Sequence, residues 1–510
     1  MSSKITIYEK SIMWIKENTV DGKGIAVSSK DKNIYPEVTG YYIPTLLRWG
    51  ERKIAINYAK YLCSIQKEDG AWFDSTDTAP YIFDTAQIIK GLLAIRCVLP
   101  EVDNYIKKAC DWILSFMQED GRLPSPSTGA WGNDENFCSE IVHLYCLSPL
   151  KEAGVVFDNP KYIEASKKIL KYYIKNQISK ISQFSLLSHF YAYVIEGLID
   201  MGEENLAKEG LLNLEKYQDE DGFIPGLKNV TWTCSTGLFQ IALCWYKLGK
   251  LEEGNKIFNA ACKLQNETGG WYGSYTVKKQ NLCNEDIATY FPNAEISWAN
   301  KYFLDALYYK ENLEFEKMSD IFLDKIDKKD GRYELIHCII KNMIKESKNK
   351  VKICDLGCGK GRYIKNIIED FNLDTIEITG VDISSKVMKS LSENVNKVQG
   401  RLTNLPLNKE EFDMIICCEA LEHAINIDGA MQEMYRIAKP NSIIVIVDKP
   451  IEKLGSLSLY EWEQWIDSSF MQKFACAYDM NLQVVENLEY EEKRDGLFKA
   501  WIFKKGSICK

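Results

Sequence analysis

The spacing of apolar residues differs between the first and the second part of the chain. In residues 1–310, apolar residues recur at helical spacing, as Tyr58 and Leu62 do. In residues 351–510, short apolar runs alternate with amphipathic helices, and the runs read VKICDL, TIEITGVD, DMIICCEA and SIIVIVD. This alternation predicts a parallel sheet with helices on both faces. Residues 311–350 are highly charged but keep a helical pattern, so we interpret them as a helical linker between two domains.

A short sequence mark repeats through the first domain. It reads QKEDGAW, QEDGRL, QDEDGF and QNETGGW, beginning at Gln66, Gln118, Gln218 and Gln265, with incomplete relatives at Asn18 and Asn176. Each complete mark follows one helical run, and its glycine suits the left-handed conformation that ends a helix. About six helical hairpins of this kind predict an all-α toroid of the (α/α)6 type, with inner helices around a central cavity and outer helices behind them.

The mark resembles the repeats of terpene cyclases and protein prenyltransferases, and the loops of (α/α)6 polysaccharide lyases and glycoside hydrolases. The resemblance covers about residues 5–310 and implies architecture. The acidic motifs DxDD and DDxxD are missing, and no zinc set is recognisable. We expect the glutamine, glycine and tryptophan of the mark to tie neighbouring hairpins together.

Polar and aromatic residues in the predicted loops and inner-helix starts of the toroid suit a carbohydrate. Aromatic faces stack on sugar rings, and carboxylates bind sugar hydroxyls or exchange protons with them. The candidate substrate-binding residues are Glu37, Asp84, His189 and Trp232. A wider set adds Tyr35, Trp131, Asp134, Glu135, His143 and Glu295. The alternative interpretation is that the histidines pack in the core and that Glu37 caps a helix.

The second domain opens with a glycine loop. The first apolar run ends in the sequence DLGCGKG at 355–361, and the second run ends at Asp382. Alternating glycines let the backbone approach a ligand closely, and an acid after the second strand accepts hydrogen bonds from ribose hydroxyls. A dinucleotide site would require another glycine where Arg362 stands.

Further segments complete a recognisable series, namely NLPL at 404–407, FD at 412–413, LEH at 421–423 and RIAKP at 436–440. With them, residues 351 to about 450 closely resemble a class I S-adenosylmethionine-dependent methyltransferase with a Rossmann-like α/β fold. The resemblance implies S-adenosyl-L-methionine as the cofactor and no metal. It also implies the cofactor-binding residues Asp355, Gly357, Gly359, Gly361, Asp382, Arg401, Leu402 and Glu419.

One residue departs from the family pattern. Family members usually carry an acid at position 401 to receive the adenine amino group, and a guanidinium cannot accept that hydrogen bond. The guanidinium of Arg401 would instead stack on the adenine ring, or the backbone of Leu402 would bind the adenine without a contribution from this side chain. On the acceptor side His423 is the candidate catalytic base, because its unperturbed pKa lies near working pH, and packing is the alternative. Lys449 and Tyr460 are weaker candidates.

Composition and charge limit the classes of molecule that we expect the protein to bind. A net charge of -9 and a pI near 5.4 argue against nucleic acid and anionic lipid as partners. The N-terminus reads as neither a signal nor a transit peptide, and the apolar runs are too short to span a bilayer. The 16 cysteines contain no CxxC pair, so we expect free thiols in a reducing cytoplasm.

Three functions follow from these observations. The favoured one is a methyltransferase that acts on a sugar of a surface polysaccharide or glycoconjugate, with the toroid holding the glycan near the methyl donor. The second is a bifunctional enzyme whose toroid has its own lyase, hydrolase or epimerase activity. The third is a glycan-binding or scaffold protein with a degenerate methyltransferase domain, which Arg401 motivates. The repeated mark also leaves terpenoid or lipid acceptors open, although the missing acidic motifs make them a less favoured alternative. A small-molecule acceptor, the methylated atom and the oligomeric state stay open as well.

Overall fold

The structure is a computed structural model that describes residues 3–127, 138–276, 287–458 and 463–506. The candidates Trp131, Asp134, Glu135 and Tyr460 lie outside the described residues. The chain divides into two compact units. One, the helical unit, comprises Thr6–Leu47 and Glu51–Leu313, and the other, the sheet unit, comprises Met1–Ile5, Arg48–Gly50 and Glu314–Lys510.

Thirteen α-helices follow one another across the described part of the first 318 residues, with 3-10 helices at Pro100–Val102 and Glu140–Cys146. In chain order they are α1 (Ser3–Glu17), α2 (Pro36–Arg48), α3 (Arg52–Ile65), α4 (Ile82–Ile95), α5 (Asp103–Ser115), α6 (Leu147–Val156), α7 (Pro160–Asn176), α8 (Ile178–Ser182), α9 (Ser188–Met201), α10 (Glu204–Glu215), α11 (Ser235–Lys247), α12 (Leu251–Cys262) and α13 (Ser297–Met318). Two small ribbons pair β1 (Thr19–Val20) with β2 (Gly24–Ile25), and β3 (Trp232–Cys234) with β4 (Ser274–Thr276).

The helices form two layers. Helices α2, α4, α9 and α11 are buried around most of their circumference, whereas α3, α5, α7, α10 and α12 bury one face only. An amphipathic helix covers a core with one stripe, and a helix that is apolar all round lies inside. The alternation of inner and outer helices confirms the predicted toroid.

The glycine of each complete mark lies against the next outer helix. These glycines have φ between +93° and +101°, and a Cβ on any of them would lie within 3 Å of a backbone carbonyl oxygen. The pairs are Gly70 with Lys108, Gly121 with Lys168, Gly222 with Lys256, and Gly269 with Lys10. A side chain would therefore separate the neighbouring hairpins, which explains why the mark requires glycine.

Glutamines of the marks make the same connections through hydrogen bonds. Gln66 donates from Nε2 to the carbonyl oxygen of Tyr105 at 2.9 Å, and Gln265 donates to the carbonyl oxygen of Ile7 at 3.0 Å. Because Gln265 belongs to the last mark and Ile7 to α1, this bond joins the two ends of the ring.

We expect Gly222→Ala to lower the melting temperature more than Gly202→Ala does. Both glycines have φ above +90°, so both substitutions carry the left-handed cost of about 1–2 kcal/mol. A Cβ at Gly202 meets nothing within 4 Å, whereas one at Gly222 would lie 2.4 Å from the Lys256 carbonyl oxygen. The backbone shifts that relieve this clash lower the free energy of unfolding of Gly222→Ala by about 1–3 kcal/mol more. Calorimetric melting of both variants measures the difference. Equal melting temperatures would contradict the claim that the glycine of the mark is needed for neighbouring hairpins to pack closely.

Aromatic side chains fill the centre of the ring at the level of Tyr193. The centroid of its ring lies 4.7 Å from Phe83, 4.8 Å from Tyr145, 4.5 Å from His189 and 6.1 Å from Tyr302. These residues come from four different inner segments. At this level the inner segments therefore pack against one another through aromatic rings.

The sheet unit contains a mixed sheet of seven strands. They are β5 (Val351–Leu356), β6 (Ile376–Asp382), β7 (Asn396–Gln399), β8 (Phe412–Cys418), β9 (Ala438–Asp448), β10 (Met480–Val485) and β11 (Lys499–Lys505). Their order is β10-β11-β9-β8-β5-β6-β7, with β11 antiparallel to both of its neighbours, β10 and β9, and the remaining neighbouring pairs parallel. This confirms the predicted Rossmann-like α/β domain.

Helices cover the two faces of the sheet. They are α14 (Gly331–Glu346), α15 (Arg362–Asp370), α16 (Ile427–Ile437) and α17 (Ser468–Ala477). Tyr333, Ile336 and Ile340 of α14 belong to the apolar core on one face of the sheet. The segment interpreted as a linker thus supplies part of this core. The connection from β6 to β7 contains a short 3-10 turn, Val387–Ser390, in place of a crossover helix.

Two further features of the described residues concern expectations from the sequence, namely membrane spans and the state of the cysteines. No helix among the described residues is long and apolar enough to cross a membrane. The cysteines of the described residues are free thiols.

Candidate functional site

A cavity of about 330 Å³ opens at the carboxyl ends of β5, β6 and β8. In open α/β sheets this edge is where ligands bind, because the loops that leave adjacent parallel strands diverge there. One wall of the cavity consists of the glycine loop and the ends of β6 and β8. The rest of the lining, which we call the second wall, comes from residues within 315–323 and 422–425.

The glycine loop is tightly tied to β6. The amides of Gly357 and Cys358 both donate to the Val381 carbonyl oxygen, at 2.8 and 3.0 Å. A Cβ on Gly357 would lie 2.3 Å from the Cβ of Ala420, and one on Gly361 would lie 2.1 Å from Leu391. These two glycines are therefore required for packing within the protein.

Gly359 differs from its two neighbours in the loop. A Cβ placed on it would meet nothing within 4 Å, although its φ is also positive. The residue lines the cavity, so its bare backbone faces open space that a ligand can fill. This arrangement fits the close backbone approach that the resemblance implies for the cofactor.

Asp382 organises the loop from the end of β6. Its carboxylate accepts hydrogen bonds from the amides of Gly359 and Ser384, both at 2.9 Å. Burial raises the pKa of this carboxyl, and the two amide hydrogen bonds oppose the rise. The side chain lines the cavity, where the predicted ribose contact requires it.

Asp355, at the end of β5, is a buried carboxyl. Its Oδ2 has no hydrogen-bond partner among the described residues, and the side chain is 3% exposed. Burial raises its pKa to about 7, the Arg362 guanidinium opposes the rise, and the Asp382 carboxylate adds to it. A buried carboxylate oxygen without a partner is costly. It therefore fits a site that receives a cationic or hydrogen-donating group.

Two arginines converge on Glu419, the residue after β8. Its Oε1 accepts from Arg332 Nη1 at 2.9 Å and from Arg362 Nη2 at 2.5 Å, and Tyr363 Oη lies at 3.4 Å. The backbone of Glu419 has φ +53°, a left-handed value that is uncommon outside glycine. Asp330 holds the other edge of the Arg332 guanidinium through Nη2 and Nε. The predicted cofactor residue Glu419 is thus held in place by two charged partners.

Neither arginine was a site prediction from the sequence. Arg362 stood out there only as the missing glycine of a dinucleotide site, and Arg332 lay in the supposed linker. Arg362 lines the cavity directly beside the glycine loop. The signal available in the sequence was its position in the first turn of the helix that follows the loop, where anions bind favourably.

Arg401 and Leu402 line the cavity with their neighbours Gly400 and Thr403. The Gly400 amide donates to the Asp382 carbonyl oxygen at 2.9 Å, which fixes this segment beside the end of β6. Six of the eight predicted cofactor residues thus line the cavity, whereas Asp355 in β5 and Gly361 in the glycine loop are not part of its lining.

His423 belongs to the second wall of the cavity. Its ring is 26% exposed, packs edge-on against Phe315 at 5.6 Å, and has Nε2 at 3.7 Å from Glu422 Oε1. Its Nδ1 has no hydrogen-bond partner among the described residues. Burial lowers its pKa to about 4, with Glu463 and Lys449 as smaller, opposed influences. The imidazole is therefore neutral at pH 7 and can accept a proton, but burial moves its pKa away from working pH, so the reason for which the sequence predicted this base is wrong.

Lys449 is a poor candidate base. Its ammonium contacts Glu422 Oε1 at 2.6 Å and Glu463 Oε1 at 3.2 Å. Burial lowers the pKa of Lys449, but these carboxylates and Asp448 raise it by more, so the net shift is upward. An ammonium with a raised pKa stays protonated at pH 7, which leaves His423 as the base candidate on this wall.

In the helical unit, Glu37 and Asp84 lie in the first turns of α2 and α4. These helices touch backbone to backbone, since a Cβ on Gly91 would lie 2.1 Å from the Gly40 carbonyl oxygen. Burial and the Asp84 charge raise the pKa of Glu37, and burial followed by the Asp74 charge raises that of Asp84 to about 8.

The other two toroid candidates are packed inside the protein. His189 Nδ1 lies 3.0 Å from Gln240 Oε1, and burial lowers its pKa to about 3, so the ring is neutral. Trp232 is buried in β3, and a Cβ on Gly226 would lie 2.0 Å from its ring. Trp232 thus covers a glycine turn, and its ring does not present a stacking surface to a sugar.

Comparison with known families agrees with both halves of the fold. Residues 354–446 match the family described as methyltransferase domain, and residues 34–137 match the squalene-hopene cyclase C-terminal domain. The sheet unit therefore contains a class I methyltransferase domain, and the helical unit contains a cyclase-like toroid. The methyltransferase match confirms the predicted cofactor, S-adenosylmethionine.

Individual relatives are similar to about a quarter of this chain, and the chain covers less than two thirds of their own length. A ubiquinone biosynthesis O-methyltransferase of Rickettsia canadensis is 29% identical over 150 residues, which are 27% of this chain and 61% of that protein. An uncharacterized protein of Methanocaldococcus jannaschii is 34% identical over 119 residues, which are 23% of this chain and 49% of that protein. Among solved structures, a putative sarcosine dimethylglycine methyltransferase from Galdieria sulphuraria is 14% identical, with 34% of this chain and 85% of that chain covered and a TM-score of 0.28.

Proposed function

We propose that this chain is an S-adenosylmethionine-dependent methyltransferase that methylates a hydroxyl oxygen of its acceptor. One observation carries the proposal: a single cavity joins the glycine loop and Asp382 on one wall to a neutral histidine on the other. The first wall fits the cofactor, and the second offers a proton acceptor to a hydroxyl group.

Each element of the first wall has a part in holding the cofactor. Gly359 leaves room for the amino-acid portion, Asp382 accepts from the ribose hydroxyls, and the free Oδ2 of Asp355 suits the ammonium group. Arg362 suits the carboxylate because a guanidinium binds carboxylates bidentately. The backbone at Arg401 and Leu402 would border the adenine.

When bound, S-adenosylmethionine supplies a methyl group on a positively charged sulfur, which becomes a neutral thioether as the acceptor oxygen bonds to the methyl carbon. His423 removes the proton from the acceptor hydroxyl. The walls of the cavity align the two reactants and exclude water, which accounts for much of the rate in such a displacement.

Labelled methyl transfer tests the proposal. The full chain is incubated with S-adenosylmethionine carrying a tritiated methyl group and with cell extracts separated into polysaccharide and organic-soluble fractions. We expect tritium in one fraction, in a bond stable to mild base, with little transfer by His423→Ala. Binding of S-adenosylhomocysteine without transfer to any fraction would instead favour the scaffold alternative.

The affinity for S-adenosylhomocysteine should rise with pH up to about 7 and then level off. The free protein holds a proton on Asp355, and the ligand ammonium requires the ionised carboxylate, so binding releases that proton. Below pH 7 we expect close to a tenfold loss of affinity per pH unit. Arg362 and Asp382 face Asp355 in this site.

Calorimetry between pH 5.5 and 8 measures this dependence. Asp355→Asn and the ligand 5'-methylthioadenosine, which lacks the amino-acid portion, serve as controls that should show a flat profile. A steep profile for 5'-methylthioadenosine would assign the titration to another group.

The sugar acceptor and the cytoplasmic location stay predictions of the sequence. The adjacent Glu37 and Asp84 support a hydroxyl-binding or acid–base site in the toroid, whereas the packed Trp232 weakens it. Titration of the full chain with oligosaccharides, followed by nuclear magnetic resonance, tests this idea. Loss of binding in Glu37→Gln would support the toroid as a glycan site, and unchanged binding would place the sugar elsewhere.

A further inference from the structure

The two walls of the methyltransferase cavity differ in chemistry. The wall assigned to the cofactor carries the glycine loop and charged residues such as Asp382 and Glu419. The second wall is mostly apolar, with His423 and Glu422 as its polar members. Its apolar side chains come from Phe315, Met318, Ile321, Phe322, Leu323, Ala424 and Ile425.

Two of these apolar residues are unusually exposed. Ile321 is 65% exposed and Leu323 is 60% exposed, while Phe322 between them packs partly into the sheet core. The exposed pair therefore contributes little to the stability of the fold. Large apolar residues exposed side by side at the mouth of a cavity are typical of a ligand-contacting surface.

Polar contacts hold this segment in place on both sides of the exposed pair. Lys360 Nζ donates to the Asp320 carbonyl oxygen at 3.3 Å, and Lys365 Nζ lies 3.3 Å from Asp324 Oδ1. Asn366 donates to the Ile326 carbonyl oxygen at 2.9 Å. Each of these donors comes from the glycine loop or from α15. The apolar rim is thus fixed to the element that lines the cofactor wall.

From this wall we infer that the acceptor is a hydroxyl compound with an apolar body, best represented by an alkyl-substituted phenol. The inference rests on the proposed methyltransferase function. A sugar would place several hydroxyls against side chains that cannot bond to them, at a cost for each. An aromatic ring can pack beside Phe315 and His423, whose rings already meet edge-on. Its hydroxyl reaches His423, and its alkyl group lies on Ile321 and Leu323.

A chain-length series tests the inference on the full protein saturated with S-adenosylhomocysteine. The probes are 4-ethylphenol, 4-butylphenol and 4-hexylphenol, with methyl glucoside as the sugar control, and binding is measured by calorimetry. We expect affinity to rise up to about fourfold per methylene, as burial of apolar surface requires. Methyl glucoside should not bind to this complex.

The double variant Ile321→Asn, Leu323→Asn should flatten the series and weaken 4-hexylphenol about tenfold or more. Its affinity for S-adenosylhomocysteine should not change, which shows that the variant is folded. Val484→Asn is the matched control, because Val484 is an exposed apolar residue of the same unit, on β10, at 39% exposure. It should behave like the unaltered chain.

The outcomes are distinguishable. Affinity that is independent of chain length, an unchanged series in the double variant, or binding of methyl glucoside in place of the phenols would overturn the apolar acceptor and leave the methyltransferase proposal standing. Failure of S-adenosylhomocysteine to bind the unaltered chain would overturn the proposed function, and the acceptor inference with it.

Discussion

Substitution of Asp382 by alanine should weaken S-adenosylhomocysteine binding by about 100-fold or more. The carboxylate makes two amide hydrogen bonds that shape the loop at Gly359 and the turn at Ser384. It also offers lone pairs to the ribose hydroxyls of the bound cofactor. Hydrogen bonds to a charged group contribute about 1.5–3 kcal/mol each, so loss of several accounts for this factor.

Isothermal titration calorimetry of the full chain measures the effect. Asp374→Ala is the matched control, because Asp374 is an exposed acid in the loop that leads into β6. That variant should bind as the unaltered chain does. Melting temperatures of both variants show whether the sheet is intact. Retention of affinity by a folded Asp382→Ala variant would remove this residue from the cofactor site.

Replacement of His423 by alanine should lower the rate of methyl transfer at least about tenfold, since a positioned general base contributes 10²–10⁴-fold in many enzymes. The affinity for S-adenosylhomocysteine should change little, because His423 is not among the residues to which we assign the cofactor. Single-turnover transfer to the acceptor separates the chemical step from binding. His337→Ala removes a histidine that stacks on Phe371 and serves as the control.

The pH profile gives an independent readout of the same residue. Burial lowers the pKa of His423 to about 4, so the base form is present above about pH 5. Transfer by the unaltered chain, with both substrates saturating, should therefore show no decline between pH 8 and pH 5.5. A fall centred near pH 6.5 would indicate a solvated histidine as the base and contradict this environment.

Local sequence patterns predicted the parts of the fold that local physics controls. The glycines of the marks, such as Gly70 and Gly222, end helices with positive φ, and that requirement is visible in sequence. The DLGCGKG loop and Asp382 follow strands in sequence order, so the carboxyl edge of a parallel sheet brings them together. Those predictions needed only strand order and glycine chemistry.

Contacts between distant segments could not be predicted in the same way. Arg332 is 87 residues from Glu419 along the chain, yet their side chains bond because α14 packs on the sheet. Likewise, the apolar rim at Ile321 faces the cavity because Lys360 and Lys365 hold its segment from both sides. Trp232 looked like a sugar platform in sequence, and only the close approach of Gly226 shows that it is covered.

Titration of S-adenosylhomocysteine and of NAD⁺ into the full chain, in separate calorimetric experiments at pH 7.5, tests the central claim most directly. The cofactor site described by Gly359, Asp355 and Asp382 predicts one molecule of S-adenosylhomocysteine per chain with micromolar affinity and no heat from NAD⁺. Absence of binding by S-adenosylhomocysteine, or saturable binding of NAD⁺ that Asp382→Ala abolishes, would contradict the account.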